Sequence, residues 1–211
     1  MSEPQSDAAA AAPDHAGVFF RLLNRVVDVR PRELPALLWA WAYIFTLLSS
    51  YYVMRPIRDQ MGVAGGVKNL QWLFMGTLIC MLLLNVPFGA LVKALPRSRF
   101  IPITYRFFAV SILLFAAAFH FADETAMVWL GRAFFIWISV FNLFVVSVFW
   151  ALIVDTFSSE DGKRVFGFIA AGATIGAITG SAVTATLARH IPLAALLIVA
   201  AVLLEVAVVC V

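Results

Sequence analysis

MVWLGRAFFIWISVFNLFVVSVFWALIV, from Met127 to Val154, carries a single charge, Arg132, in an otherwise uncharged and mostly apolar stretch. A helix needs ~20 mainly apolar residues to cross the ~30 Å hydrocarbon layer of a bilayer, and this run exceeds that length. Five more runs of the same kind flank it: Leu34 to Met54, Leu70 to Val92, Phe100 to Phe121, Val165 to Leu187 and Ile191 to Val211. Their spacing predicts an all-α, polytopic membrane protein with six transmembrane helices. Helix-stopping or charged residues separate them: Arg55-Pro56, Leu95-Pro96-Arg97, Asp123-Glu124, Ser158 to Gly162, and Arg189-His190 with Pro192. The six runs with their short joins fill 34 to 211 and leave no room for a water-soluble domain.

Composition agrees. Of 211 residues, 63% are hydrophobic and 13% charged, against ~45 to 50% and ~25% in soluble domains. With a mean hydropathy of +0.96, a soluble core could not hide this much apolar surface. Disorder, a disulfide scaffold and a nucleic-acid-binding domain are excluded as whole-chain readings. The net charge of +3 is too small for a phosphate-backbone footprint, and Cys80 and Cys210 both lie inside apolar runs.

Residues 1 to 17 are small, polar and aperiodic, which predicts a disordered cytoplasmic tail. Over 18 to 33, Phe19, Leu22, Leu23, Val26 and Val27 share one helical face, opposite Arg21, Asn24, Arg25 and Asp28. That pattern predicts an amphipathic helix lying on the membrane. Basic residues in short loops are retained on the cytoplasmic side. With both ends inside, nine fall there (Arg21, Arg25, Arg30, Arg32, Lys93, Arg97, Arg99, Lys163, Arg164) and four outside (Arg55, Arg58, Lys68, Arg189). The expected location is the inner (plasma) membrane, with the N-terminus cytoplasmic.

Charges within spans cost ~2.5 to 3.5 kcal/mol on insertion scales, so each is a functional candidate. Arg106 in the third span and Glu205 in the sixth fall at similar depth and are expected to pair. Arg132 enters the fourth span from the outer side, at the level where the first ends in Tyr51 to Asp59. The outer half thus gathers several cations around one carboxylate. Because guanidinium forks match phosphate and carboxylate geometry, Arg55, Arg58 and Arg132 are candidate ligands of a small anionic substrate; snorkelling accounts for Lys68.

Trp39, Tyr43, Thr46 and Ser50 follow one face of the first span, and the reading is a cavity lining, with Tyr43 as a substrate contact. Arg132, Ser139 and Asn142 continue it on the fourth. In the fifth span, Gly172, Gly176 and Gly180 make a flat groove for helix packing. The same groove serves static packing, sliding during alternating access, or a partner of a non-transporting scaffold. No nucleophile elbow, phosphate loop or fixed metal-ligand spacing occurs in the sequence, so neither an enzyme, a metal nor a cofactor is expected.

Three stretches carry a family likeness. Ser50-Tyr-Tyr-Val-Met-Arg-Pro-Ile-Arg-Asp-Gln-Met-Gly62, Val140 to Trp150 and Asp155 to Gly172 resemble bacterial proteins related to the ATP/ADP translocase (nucleotide transporter) group of the major facilitator superfamily. The likeness spans roughly residues 34 to 190. It implies one half of a 6+6 bundle, in which spans one, two, four and five line the path and spans three and six lie outside. It also implies secondary, gradient-driven transport of an organic or phosphorylated anion, possibly nucleotide-like, by exchange or ion coupling. The second six-helix half would come from the same gene, a separate chain or a second copy. The superfamily's loop after span two normally pairs Gly with Asp; here Gly89 is followed by Lys93, Arg97, Ser98 and Arg99. Asp155 is therefore expected to supply the gate's counter-charge to Arg97 or Arg99.

Overall fold

The computed structural model describes residues 34–157 and 159–211, with the side chains of 97, 98 and 159–163 outside that description. The tail and amphipathic helix expected before residue 34 lie outside the described residues, as does the side chain of Arg97. Six α-helices follow one another: α1 (Leu34–Ala64), α2 (Leu70–Ala94), α3 (Arg97–Phe121), α4 (Glu124–Thr156), α5 (Ser159–Leu187) and α6 (Leu193–Val209). A single 3-10 turn, Val67–Asn69, joins α1 to α2, and the described residues contain no strand. Five of these helices are long and apolar enough to cross a membrane, an architecture that fits a multi-pass membrane protein.

Two helix ends differ from the sequence reading. Arg55-Pro56 does not stop the first helix, which runs on through Pro56 to Ala64. Proline removes one backbone donor, but a helix packed among others tolerates the loss. The helix ends at a glycine pair instead, where Gly66 takes φ 95°, a left-handed conformation only glycine adopts without strain. At the other end of the chain, α6 has 17 residues, ~26 Å at 1.5 Å per residue and short of the ~30 Å hydrocarbon layer. It is shorter than its apolar run because Pro192 stands at its N-cap and helix geometry ends at Val209. By contrast α1 and α4, at 31 and 33 residues, measure ~46 and ~50 Å and must tilt or protrude.

The first helix is the hub, packing on α5, α6 and α4. Against α5 the contact repeats every four residues. A Cβ at Gly172 would lie 2.9 Å from the Trp41 ring, one at Gly176 would strike the Phe45 carbonyl oxygen, and one at Gly180 the Ser49 carbonyl oxygen. Hydroxyls stitch the same seam: Ser49 Oγ donates to Gly176 O (3.1 Å) and Thr184 Oγ1 to Val53 O (2.8 Å). Since both series ascend together, α1 and α5 run parallel. The glycine face is thus filled by α1, and a partner-binding scaffold that would use it loses its docking surface. Towards α6, Ser50 Oγ donates to Ala200 O at 2.7 Å.

On the far side, α3 packs on α6 and α4. Buried Tyr105 of α3 accepts a hydrogen bond from Tyr43 Oη and donates to Val145 O at 3.0 Å, tying α1, α3 and α4 together. The second helix is held chiefly by α4, with Phe74 edge-on to Phe135 at 5.4 Å and the rings of Phe88 and Phe144 stacked at 4.1 Å. Most of its remaining side chains, among them Trp72, Leu82, Leu83 and Val86, are exposed, a surface suited to lipid or to another helix.

Candidate functional site

The site grows from one seam. Arg58 of α1 meets Ser139 of α4, Gly62 lies on the Phe135 ring, and Gly65 faces Arg132. Rising positions on α1 meet falling ones on α4 at steps of three or four residues, so the two helices run antiparallel. The absence of a side chain at Gly62 matters, because a Cβ there would come within 2.8 Å of Phe135. That close approach brings the α1 end down onto α4 and draws Arg58 into the seam.

Arg58 is one of two half-buried arginines among the three candidates that the sequence placed at this end. Its side chain is 17% exposed. Nε and Nη2 reach Asp59 Oδ1 at 3.0 and 2.9 Å, and Nη1 donates to Ser139 Oγ at 3.3 Å. The Ser139 hydroxyl donates onward to Phe135 O at 3.0 Å, so its lone pairs are free to accept. The guanidinium also sits 4.6 Å from the centre of the Phe135 ring, a cation–π contact that substitutes for water on that face. A guanidinium has five N–H donors, and these contacts use one on each nitrogen. Two remain for an incoming oxyanion.

Arg55, one turn earlier, is exposed. It donates to Tyr52 Oη at 3.0 Å and lies 5.2 Å from that ring. Tyr51 and Tyr52 meet edge to face at 5.1 Å. Tyr52 and Arg55 thus stand one to two turns before Arg58 on α1, with Tyr51 packed into the core beside them.

Arg132 has other work. Its Nη2 lies 3.4 Å from Gly65 O and its guanidinium 4.7 Å from the Trp129 ring, while Nε is buried without a partner. Asn69 Nδ2 donates to the same carbonyl at 2.9 Å. A cation against the last carbonyls of a helix complements its dipole, so Arg132 pins the end of α1. In this arrangement Arg132 braces the end of α1 through one hydrogen bond and its charge.

The stripe on α1 also resolves differently from a cavity lining. Tyr43 is 1% exposed and bonded to Tyr105, so it touches no open path. Thr46 bonds its own helix at Ala42 O and Tyr43 O, Ser50 is taken by Ala200, and Trp39 faces outward at 55% exposure. Asn142 is half-buried on α4.

Elsewhere, Arg106 Nε and Glu205 Oε2 stand 4.0 Å apart between α3 and α6, away from the α1–α4 seam. Their side chains are 66% and 47% exposed, so the contact is loose and outward-facing. Asp155 lies exposed in the last turn of α4 and already has an interaction of its own. Arg99 is exposed near the start of α3. With the Arg97 side chain outside the described residues, the expected Asp155–Arg97 gate is not visible.

Sequence reasoning missed Tyr105, whose partner is 62 residues away, and it missed Asn85. The latter is an amide inside the apolar run Met81-Leu-Leu-Leu-Asn-Val-Pro87. Asn142 stood out in the sequence because it continues the Arg132–Ser139 series on its span, whereas Asn85 has no ionisable or aromatic neighbour to mark it, though burying a lone amide is costly all the same.

No protein-family model, curated protein or solved structure matches this chain.

Proposed function

We propose that the chain is a six-helix unit of a secondary transporter that carries an organic or phosphorylated anion by alternating access, in the manner of the major facilitator superfamily. The observation that carries this reading is Arg58. It is a permanently charged, largely buried guanidinium on an aromatic face, with one carboxylate partner and two N–H groups unspent. Burying such a charge is costly unless it is used, and its fork geometry suits carboxylate or phosphate. Arg55, exposed one turn before Arg58 on the same helix, is a second guanidinium that such an anion would meet. The sequence likeness in Ser50 to Gly62 supports the transporter reading. On this proposal the unit sits in the inner membrane with its N-terminus cytoplasmic, and a second six-helix half, from the same gene, another chain or a second copy, closes the path.

The test is thermal stability of the purified protein against a panel of carboxylates and phosphates, with uptake into vesicles. A ligand at 100 times its Kd stabilises by ~2.7 kcal/mol. Arg58→Gln is expected to abolish that shift. Arg132→Gln is expected to keep it while lowering the ligand-free stability by ~0.3 to 1 kcal/mol, the size of a helix-end charge effect. If no anion shifts the melting temperature, or if Arg58→Gln responds as the parent does, the reading fails.

A further inference from the structure

Asn85 is exposed on α2 and lines a cavity of about 240 Å³, shared with Ser147 of α4 and with Leu78, Leu82 and Leu143. Both polar residues stand nine positions before the end of their helices at Ala94 and Thr156, a rise of ~13 Å. In a ~30 Å hydrocarbon layer that depth is close to the middle. Ser147 Oγ is satisfied by its own helix, donating to Leu143 O at 2.6 Å. The Asn85 amide makes no hydrogen bond among the described residues. An amide has two donors and an acceptor to satisfy, and hydrocarbon offers nothing to any of them. Its surroundings must therefore supply water or a polar ligand.

The α4 face gives the direction. Ser139, the partner of Arg58, and Ser147 are eight residues apart on α4, which places the Asn85 cavity ~12 Å along the helix from the anion-binding guanidinium.

We infer that Asn85 and Ser147 form a second, uncharged contact point on the substrate path, at mid-depth, which hydrogen-bonds the neutral polar part of the anion that Arg58 engages by its charge. This rests on the transport reading of the α1–α4 seam. The amide serves as a specificity-determining group: it accepts from a hydroxyl or amine and donates to a carbonyl, while the leucines around it exclude a second charge.

The experiment is cysteine accessibility in the full chain, in its membrane, with Cys80 and Cys210 replaced by alanine. Asn85→Cys and Ser147→Cys are compared with Leu83→Cys, which is 68% exposed on the same helix, and with Lys68→Cys in the α1–α2 turn. The probe is a membrane-impermeant sulfonate methanethiosulfonate. Asn85→Cys and Ser147→Cys are expected to label at least about tenfold faster than Leu83→Cys, because the reactive thiolate forms only where water reaches. Labelling of both at the Leu83→Cys rate overturns the inference. Should Asn85→Cys fail to accumulate, Ser147→Cys decides alone, since it opens on the same cavity. The transport reading is judged separately by the Arg58-dependent anion shift. A persistent shift with unlabelled positions 85 and 147 sinks only the mid-depth contact, whereas labelled positions without any shift sink the anion reading.

Discussion

Tyr43 and Tyr105 show how a single residue changes meaning with its partner. On α1, Tyr43 continues a polar and aromatic stripe, and such a stripe looks the same whether it faces a cavity or a neighbouring helix. The deciding group, Tyr105, lies on α3 and passes the hydrogen bond on to Val145 O. Removing Tyr43 Oη deletes a donor and leaves Tyr105 bonded to Val145, so Tyr43→Phe should cost ~0.5 to 1.5 kcal/mol, the net value of one hydrogen bond. Tyr105→Phe strands the buried Tyr43 hydroxyl as well, and ~1 to 3 kcal/mol is expected. Denaturant melts in one detergent would check the order, and a larger loss for Tyr43→Phe would contradict it. The arginines were legible as cations at one end of the bundle. Their division of labour was not, because it depends on Gly62 and Gly65, which let α1 settle against Phe135 and Arg132.

At the scale of the element, the α1–α5 contact makes the same substitution act in opposite directions along one helix. Alanine at Gly180 places a Cβ on the Ser49 carbonyl oxygen, and backbone cannot swing aside as a side chain can. The two helices must separate, with an expected cost of ~1 to 3 kcal/mol from overpacking. Alanine at Gly167, where nothing lies within 4 Å, should stabilise α5 by ~0.5 to 1 kcal/mol through helix propensity alone. Thermal melts of the two variants side by side provide the check; equal effects would mean that α1 and α5 do not touch at Gly180. The glycine repeat was readable as a packing face, but which helix it receives was not, since several spans carry small residues. Helix ends were least readable. Pro56 looked like a stop because that is its effect in water, and the true stop at Gly65-Gly66 lay ten residues further on.

For the whole molecule, six apolar runs translated into six helices because each run is long enough to dictate its own structure whatever it packs against. Topology is testable without any substrate. With both ends cytoplasmic, alkaline phosphatase fused after Lys68 should be active, and a fusion after Lys163 inactive, with green fluorescence giving the reverse pattern. The opposite pattern would invert the proposed orientation and put the Arg58 end of α1 on the cytoplasmic face. Arrangement was the part that could not be read. That α1 would be the hub, and α2 would hang chiefly on α4, follows from contacts between segments far apart in sequence, where no periodicity records the partner.

That arrangement also sets a timetable for biogenesis. The hub leaves the ribosome before the other described helices, yet the helices that cover its Ser49 and Ser50 are α5 and α6, which follow it only after three intervening helices. From Ala64 to Leu187 is about 120 residues, roughly 6 to 25 s at ~5 to 20 residues per second of synthesis. Throughout that interval the first helix waits with its glycine-receiving face and two hydroxyls uncovered, a window in which an insertase or chaperone must shelter it until its own chain can.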